Sequence, residues 1–195
     1  MPPRRPRRVA SLDFTPPPPR SGGVAVYTDI SDAELEGFLQ GYDLGAPRTF
    51  KGIAEGVENS NFFLETERGR YILTVYERRT RGEDLPFFVA LMAHLAERGF
   101  PCPTPIKDVS GAALQTLRGK PAALVSFLQG VSVRDPTPQH CEEVGAGLAR
   151  MHLAAEGFAG RRPNALGHDS WATLFAPLSQ AAEGRGVLGE ILVRN

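Results

Sequence analysis

Apolar positions fall first on a helical period, then alternate, then return to a helical period until the chain ends. Leu35, Phe38, Leu39 and Tyr42 lie on one face of a helix. Ser31 and Glu34, three residues apart, form the capping box that opens it. After Gly45 the period shortens to two, which predicts strands over about Arg48–Ala54, Asn61–Thr66 and Tyr71–Glu77, with a turn at 67–69. These three make an antiparallel meander. A second helix is expected from about Leu85, with Asp84 as its cap and Pro86 in its first turn. It carries Phe87, Phe88, Leu91, Met92 and Leu95 and is stopped by Gly99.

Pro101, Pro103 and Pro105 force an extended path into short strands at about Ile106–Asp108 and Ala112–Leu117, turned by Ser110–Gly111. Ala122–Leu128 is apolar on both faces, as in a strand inside a sheet. It ends at Gln129–Gly130. Beyond that point Thr137–Pro138 opens a long helix with Cys141, Val144, Leu148, Met151 and Ala155 at helical spacing, and Leu174–Leu178 and Val187–Leu192 continue the period. The fold class expected is α+β: a five-stranded antiparallel sheet with helices, then the start of a helical lobe. The organisation expected is a tail over 1–23, a sheet lobe over 24–130 and a helical part over 131–195.

The chain has 195 residues, 42% of them hydrophobic and 23% charged. That suffices for one sizeable core or two small ones, and it excludes collagenous, disulfide-stapled and wholly disordered classes. Residues 1–23 hold seven prolines and five arginines, so no fixed packing is expected there. Such a tail suits a ligand for a proline-recognising domain or an anionic surface, or else an extension without a role. The 22 basic and 22 acidic residues cancel, but the tail takes five basic residues and one acidic, leaving 17 against 21. A mildly acidic remainder argues against nucleic acid as the main partner. No stretch approaches the roughly 20 apolar residues that span a bilayer, and no apolar signal run stands at the amino terminus, so a cytoplasmic protein is expected. Cys102 and Cys141 are too few for a zinc cluster and read as small buried residues.

The order of elements follows the plan of a kinase amino-terminal lobe passing through a hinge into a helical lobe. Several stretches carry a closer likeness: Gly52–Leu64, Leu95–Ile106, the Val125–Gly130 hinge and Gly147–His152. Together they resemble the aminoglycoside phosphotransferase and choline kinase superfamily. Within it, Gly56–Asn61, Tyr71–Glu77, Asp84–Phe88 and Arg162–Gly167 are similar to the bacterial homoserine kinases over about residues 25–195. The resemblance implies ATP-dependent phosphorylation of L-homoserine to O-phospho-L-homoserine, a step toward threonine, with ATP and Mg2+ as cofactors. Phosphoryl transfer asks the protein mainly for positioning and for donors aimed at phosphate.

On that resemblance Gly56, Asn59, Ser60 and Asn61 are expected at the nucleotide phosphates, because glycine admits close backbone approach and small polar side chains offer donors. Ser126, Phe127 and Leu128 are expected to present backbone groups to adenine. Arg162 and Asn164 are the candidates for an amino-acid carboxylate, since guanidinium groups hold carboxylates well. His152, on the long helix, is expected either to face the active cleft or to pack at the lobe core, the second being the commoner role.

The chain departs from the wider kinase pattern in two ways. The third-strand position that usually holds a cation carries Thr74, and the helix position of its acidic partner carries Phe88, so phosphate charge falls to the loop, to magnesium, or to Lys51 or Arg70. After Gly130 the only aspartates are Asp135 and Asp169, and neither stands in the spacing of a catalytic base or metal motif. No catalytic or metal residue is assigned. The chain is expected to be cut short before its catalytic half and inactive alone. The competing readings are a kinase acting on choline, methylthioribose or an aminoglycoside, and a non-catalytic nucleotide-binding remnant.

Overall fold

The computed structural model describes residues 28–54, 58–77, 81–164 and 167–182. Helix α1 (Asp32–Leu39) opens on the predicted capping box: the Ser31 hydroxyl accepts from the Glu34 N–H at 3.4 Å, and the Glu34 carboxylate accepts from the Ser31 N–H at 2.9 Å. Strands β1 (Pro47–Ile53), β2 (Asn59–Thr66) and β3 (Gly69–Tyr76) form the meander. β2 starts two residues earlier than its alternation suggests, because Asn59 and Ser60 still pair with Tyr76 and Val75.

A single 3-10 turn (Gly82–Asp84) leads into α2 (Leu85–Glu97), which ends at Gly99 with φ +77, a left-handed geometry that glycine takes without strain. Strands β4 (Gln115–Leu117) and β5 (Lys120–Ser126) complete the expected five-stranded antiparallel sheet, and its order is β1-β2-β3-β5-β4. Arg118 and Gly119, both at positive φ, make the tight turn between them. Helices α3 (Pro138–Ala154) and α4 (His168–Ala182) follow.

The core lies on one face of the sheet. Phe62, Leu64, Tyr71, Leu73, Val75, Ala122 and Leu124 point inward by strand alternation and meet Leu35 and Leu39 of α1, with Tyr42 and Leu44.

Four expectations need correction. Ile106–Asp108 is not a strand: the Asp108 carboxylate accepts from the Ser110 N–H, the Ser110 hydroxyl and the Ala112 N–H, closing a turn where ladder bonds would run. Asp84 makes no side-chain cap on α2, because its carboxylate is engaged elsewhere. Cys102 is half-buried and Cys141 exposed. Cys141, Val144 and Leu148 of the α3 stripe are exposed while Met151 and Ala155 are half-buried, and His152 is exposed, which does not fit packing at a lobe core among the described residues. The tail and Val187–Leu192 lie outside the described residues.

Candidate functional site

Alternation that buries one face of the sheet turns a second set of side chains to the other. Register places Lys51, Phe63, Ile72 and Val125 in one cross-strand row, and Ile53, Asn61, Thr74 and Ala123 in the next. Phe63, Ile72, Val125, Asn61 and Thr74 are half-buried, Ala123 is buried and Lys51 is exposed. The result is an apolar floor whose neighbouring row is polar at Asn61 and Thr74. Apolar lining with few convergent polar groups is the usual make-up of a small-molecule seat.

The hinge borders this floor. Phe127 meets Phe63 edge-to-face at 5.4 Å between centroids, so the strand exit and the floor are one surface. The Ser126 N–H donates to the Thr104 carbonyl at 2.9 Å and the Phe127 N–H to the Arg70 carbonyl at 3.1 Å. Two of the three predicted hinge amides are therefore already committed to the protein. Leu128 follows as an exposed residue.

The predicted phosphate residues separate by parity. Asn61 faces the floor, where its Oδ1 accepts from the Thr74 hydroxyl at 2.8 Å. The position that lacks a cation thus holds a neutral hydrogen-bonded pair. The Asn59 Oδ1 accepts from the Glu77 N–H at 3.3 Å. Ser60 points the other way and is fully buried: its hydroxyl donates to Glu77 Oε1 at 2.8 Å and accepts from the Thr28 N–H at 3.0 Å. Gly56 lies outside the described residues. Of the two candidate cations, Arg70 stands 3.9 Å from the Glu65 carboxylate, whereas Lys51 has no ion-pair partner among the described residues.

The sequence reading missed the groups around Ser60. Lys120 donates to Glu77 Oε2 and, at 2.7 Å, to the Thr28 hydroxyl, which donates to Glu77 Oε1 at 2.6 Å. Burial raises the Glu77 pKa, but the hydrogen bonds from Lys120, Thr28 and Ser60 and the charge of Lys120 outweigh it and hold the carboxyl below its ordinary value. The signal was present: Tyr71, Leu73 and Val75 point inward, so Glu77 continues an inward parity with an acid.

Arg162 and Asn164 stand on the loop between α3 and α4. The Arg162 guanidinium pairs with Asp84 at 2.9 Å and covers the Phe88 ring at 5.1 Å. The Asn164 carbonyl accepts from the Gly167 N–H at 3.0 Å and from the Ser170 hydroxyl at 3.4 Å. Among the described residues no group of three or more His, Cys, Asp or Glu side chains is arranged to hold a metal ion, and no helix is long and apolar enough to cross a membrane.

The sequence pattern of the phosphotransferase enzyme family matches residues 49–192. A homoserine kinase of Caulobacter vibrioides is 64% identical over 160 residues, covering 82% of this chain and 50% of that protein. Another, of Phenylobacterium zucineum, is 58% identical over 173 residues, covering 88% and 54%. The chain therefore spans about half the length of the curated relatives it matches. A spectinomycin phosphotransferase solved in complex with ADP and spectinomycin superposes with a TM-score of 0.56 at 13% identity, over 81% of this chain and 48% of that one. An aminoglycoside phosphotransferase from Alicyclobacillus acidocaldarius gives 0.52 at 15%, over 86% and 49%. At such identity the likeness is one of fold.

Proposed function

The chain belongs to the phosphotransferase enzyme family, and we propose that it is the nucleotide-holding part of a homoserine kinase. In that reaction the side-chain hydroxyl oxygen of L-homoserine bonds to the γ-phosphorus of ATP, the bond from that phosphorus to the ADP oxygen breaks with its electron pair leaving on ADP, and the hydroxyl proton is released to solvent. The product, O-phospho-L-homoserine, is a step toward threonine. The observation that carries the reading is the 52–64% identity to homoserine kinases across the sheet, the hinge and the first helices. Cytoplasmic location follows from the same reading.

Adenine is proposed to lie on the Phe63–Ile72–Val125 floor, with its polar edge toward the backbone of Ser126, Phe127 and Leu128. Two of those amides are spent on Thr104 and Arg70, so carbonyls and the Leu128 amide are the better candidates. Asn59 and Asn61, with Gly56 and the exposed Lys51, are proposed toward the phosphates. Ser60 contributes through its backbone, since its hydroxyl is enclosed on the core side. Arg162 and Asn164 remain the acceptor-side proposal, and Arg162 reaches an amino-acid carboxylate only by releasing Asp84.

Magnesium normally neutralises charge developing on the transferred group. The described residues offer no carboxylate cluster that fits it, so no step is assigned to a metal here. Likewise no residue is assigned as the base, because neither Asp135 nor Asp169 stands in a catalytic motif.

The test is a chimera joining this chain to the carboxyl-terminal half of the Caulobacter vibrioides relative, offered MgATP with L-homoserine, choline, methylthioribose or an aminoglycoside. Homoserine turnover well above the others is expected. Turnover of another acceptor with homoserine inert overturns the assignment. The 195-residue chain alone is expected to bind ATP without turnover, and a rate matching the chimera's would overturn that part.

A further inference from the structure

The usual lysine–glutamate couple of kinase sheets is missing at Thr74 and Phe88, yet a lysine–carboxylate couple does occur in this sheet, on its core side. Lys120 comes from the start of β5, Glu77 from the exit of β3, Ser60 from the start of β2, and Thr28 from the segment leading to α1. Three segments distant in sequence meet on the carboxylate of a fourth, whose side chain is 12% exposed. Such a cluster is an indirect way to gain stability: apolar side chains of equal volume would stabilise a fold as well or better, because desolvating charges is costly. A fully hydrogen-bonded polar cluster adds directionality, since it holds only in one arrangement.

What it directs is the start of β2. Ser60 stands between Asn59 and Asn61, and successive side chains in a strand point to opposite faces. Fixing the Ser60 hydroxyl inward therefore fixes its two neighbours outward. The Glu77 backbone N–H adds a bond to Asn59 Oδ1 at 3.3 Å, and Asn61 is secured across the strand by Thr74.

We propose that Glu77, held by Lys120, Thr28 and Ser60, is a positioning residue that sets Asn59 and Asn61 for the nucleotide phosphates. This rests on the nucleotide reading above. Glu77 touches no phosphate itself; it acts through Ser60 and the strand register. With its pKa below the ordinary 4.5, the carboxyl is charged at neutral pH, as its pairing with Lys120 requires.

Calorimetric titration of the 195-residue chain with MgATP and with adenosine separates the alternatives. Glu77→Gln and Lys120→Met are expected to weaken MgATP by about tenfold or more, with adenosine changed less than about twofold, because losing one well-placed hydrogen bond to a charged phosphate costs about that order in affinity. Lys120→Arg is expected to restore most of the loss. Should Glu77→Gln fail to fold by circular dichroism, Ser60→Ala decides in its place, with the same selective loss of MgATP expected. Unchanged MgATP affinity in folded variants overturns the proposal, and so does a parallel loss of MgATP and adenosine, which would mark a merely structural role. Wild-type chain that binds adenosine as tightly as MgATP overturns this inference and leaves the adenine floor standing. Wild-type chain that binds no adenine compound overturns the nucleotide reading and this inference together.

Discussion

Arg162 donates to the Asp84 carboxylate at 2.9 Å with its guanidinium 5.1 Å from the Phe88 ring centroid, fastening the loop after α3 to the first turn of α2. The fastening is broad. The His94 Nε2 and the Glu156 carbonyl are 3.3 Å apart, and Phe158 stacks at an angle against both Phe87 and His94, at 5.5 and 5.3 Å. The sheet half and the helical half are therefore joined through α2 as well as through the hinge, which sets where an acceptor loop stands relative to a nucleotide on the sheet.

Removing one member of the Arg162–Asp84 pair leaves the other poorly hydrated. Their side chains are 26% and 19% exposed, so the loss is smaller than for a fully buried pair. Asp84→Ala is expected to cost about 1–3 kcal/mol in urea denaturation, and the double exchange Asp84→Arg with Arg162→Asp to recover part of it. An unaltered midpoint in Asp84→Ala would show that the pair contributes nothing.

Acid should act on Glu77. Its carboxyl titrates below the ordinary 4.5, so the unfolded chain binds the proton more readily than the folded one. The stability it contributes is present above pH 4.5 and is lost as pH falls through its lowered value. Melting curves from pH 7 down to pH 3 should show a steeper fall for the wild type than for Glu77→Gln. Parallel curves would mean that the carboxyl is not depressed.

Tyr42 predicts the alkaline side. Burial, and secondarily the Asp108 charge, push its phenol up to about 12, and its hydroxyl has no hydrogen-bond partner among the described residues. The folded state keeps the proton longer, so stability present below pH 10 is lost as pH rises toward about 12. Tyr42→Phe should flatten that loss and leave stability at pH 7 unchanged or up to about 1 kcal/mol higher, because an unpartnered buried hydroxyl is removed. A destabilised Tyr42→Phe at pH 7 would show that the hydroxyl is satisfied.

Much of this architecture is legible in residue patterns because the interactions that set it are local. The Ser31–Glu34 box, the alternation through β2 and β3, and Gly99 at positive φ each act within a few residues. Two of the misreadings share one cause, side chains spent on other partners. Asp108 draws the neighbouring backbone into a turn, and Asp84 forgoes its own helix for an arginine 78 positions later. Ser60 looked like a phosphate donor by residue type, yet parity with Phe62 and Leu64 already placed it on the core side. Lys120 gave no local signal, because its partners come from the far ends of other strands.

The most direct measurement is a backbone amide NMR titration of the chain with MgADP, alongside the Ile72→Arg variant. The account predicts shifts at Asn61, Phe63, Ile72 and Val125–Leu128, and loss of binding in a folded Ile72→Arg protein. Shifts confined to α1 and the core side, or binding that survives Ile72→Arg, would contradict the assignment of this sheet face to the nucleotide.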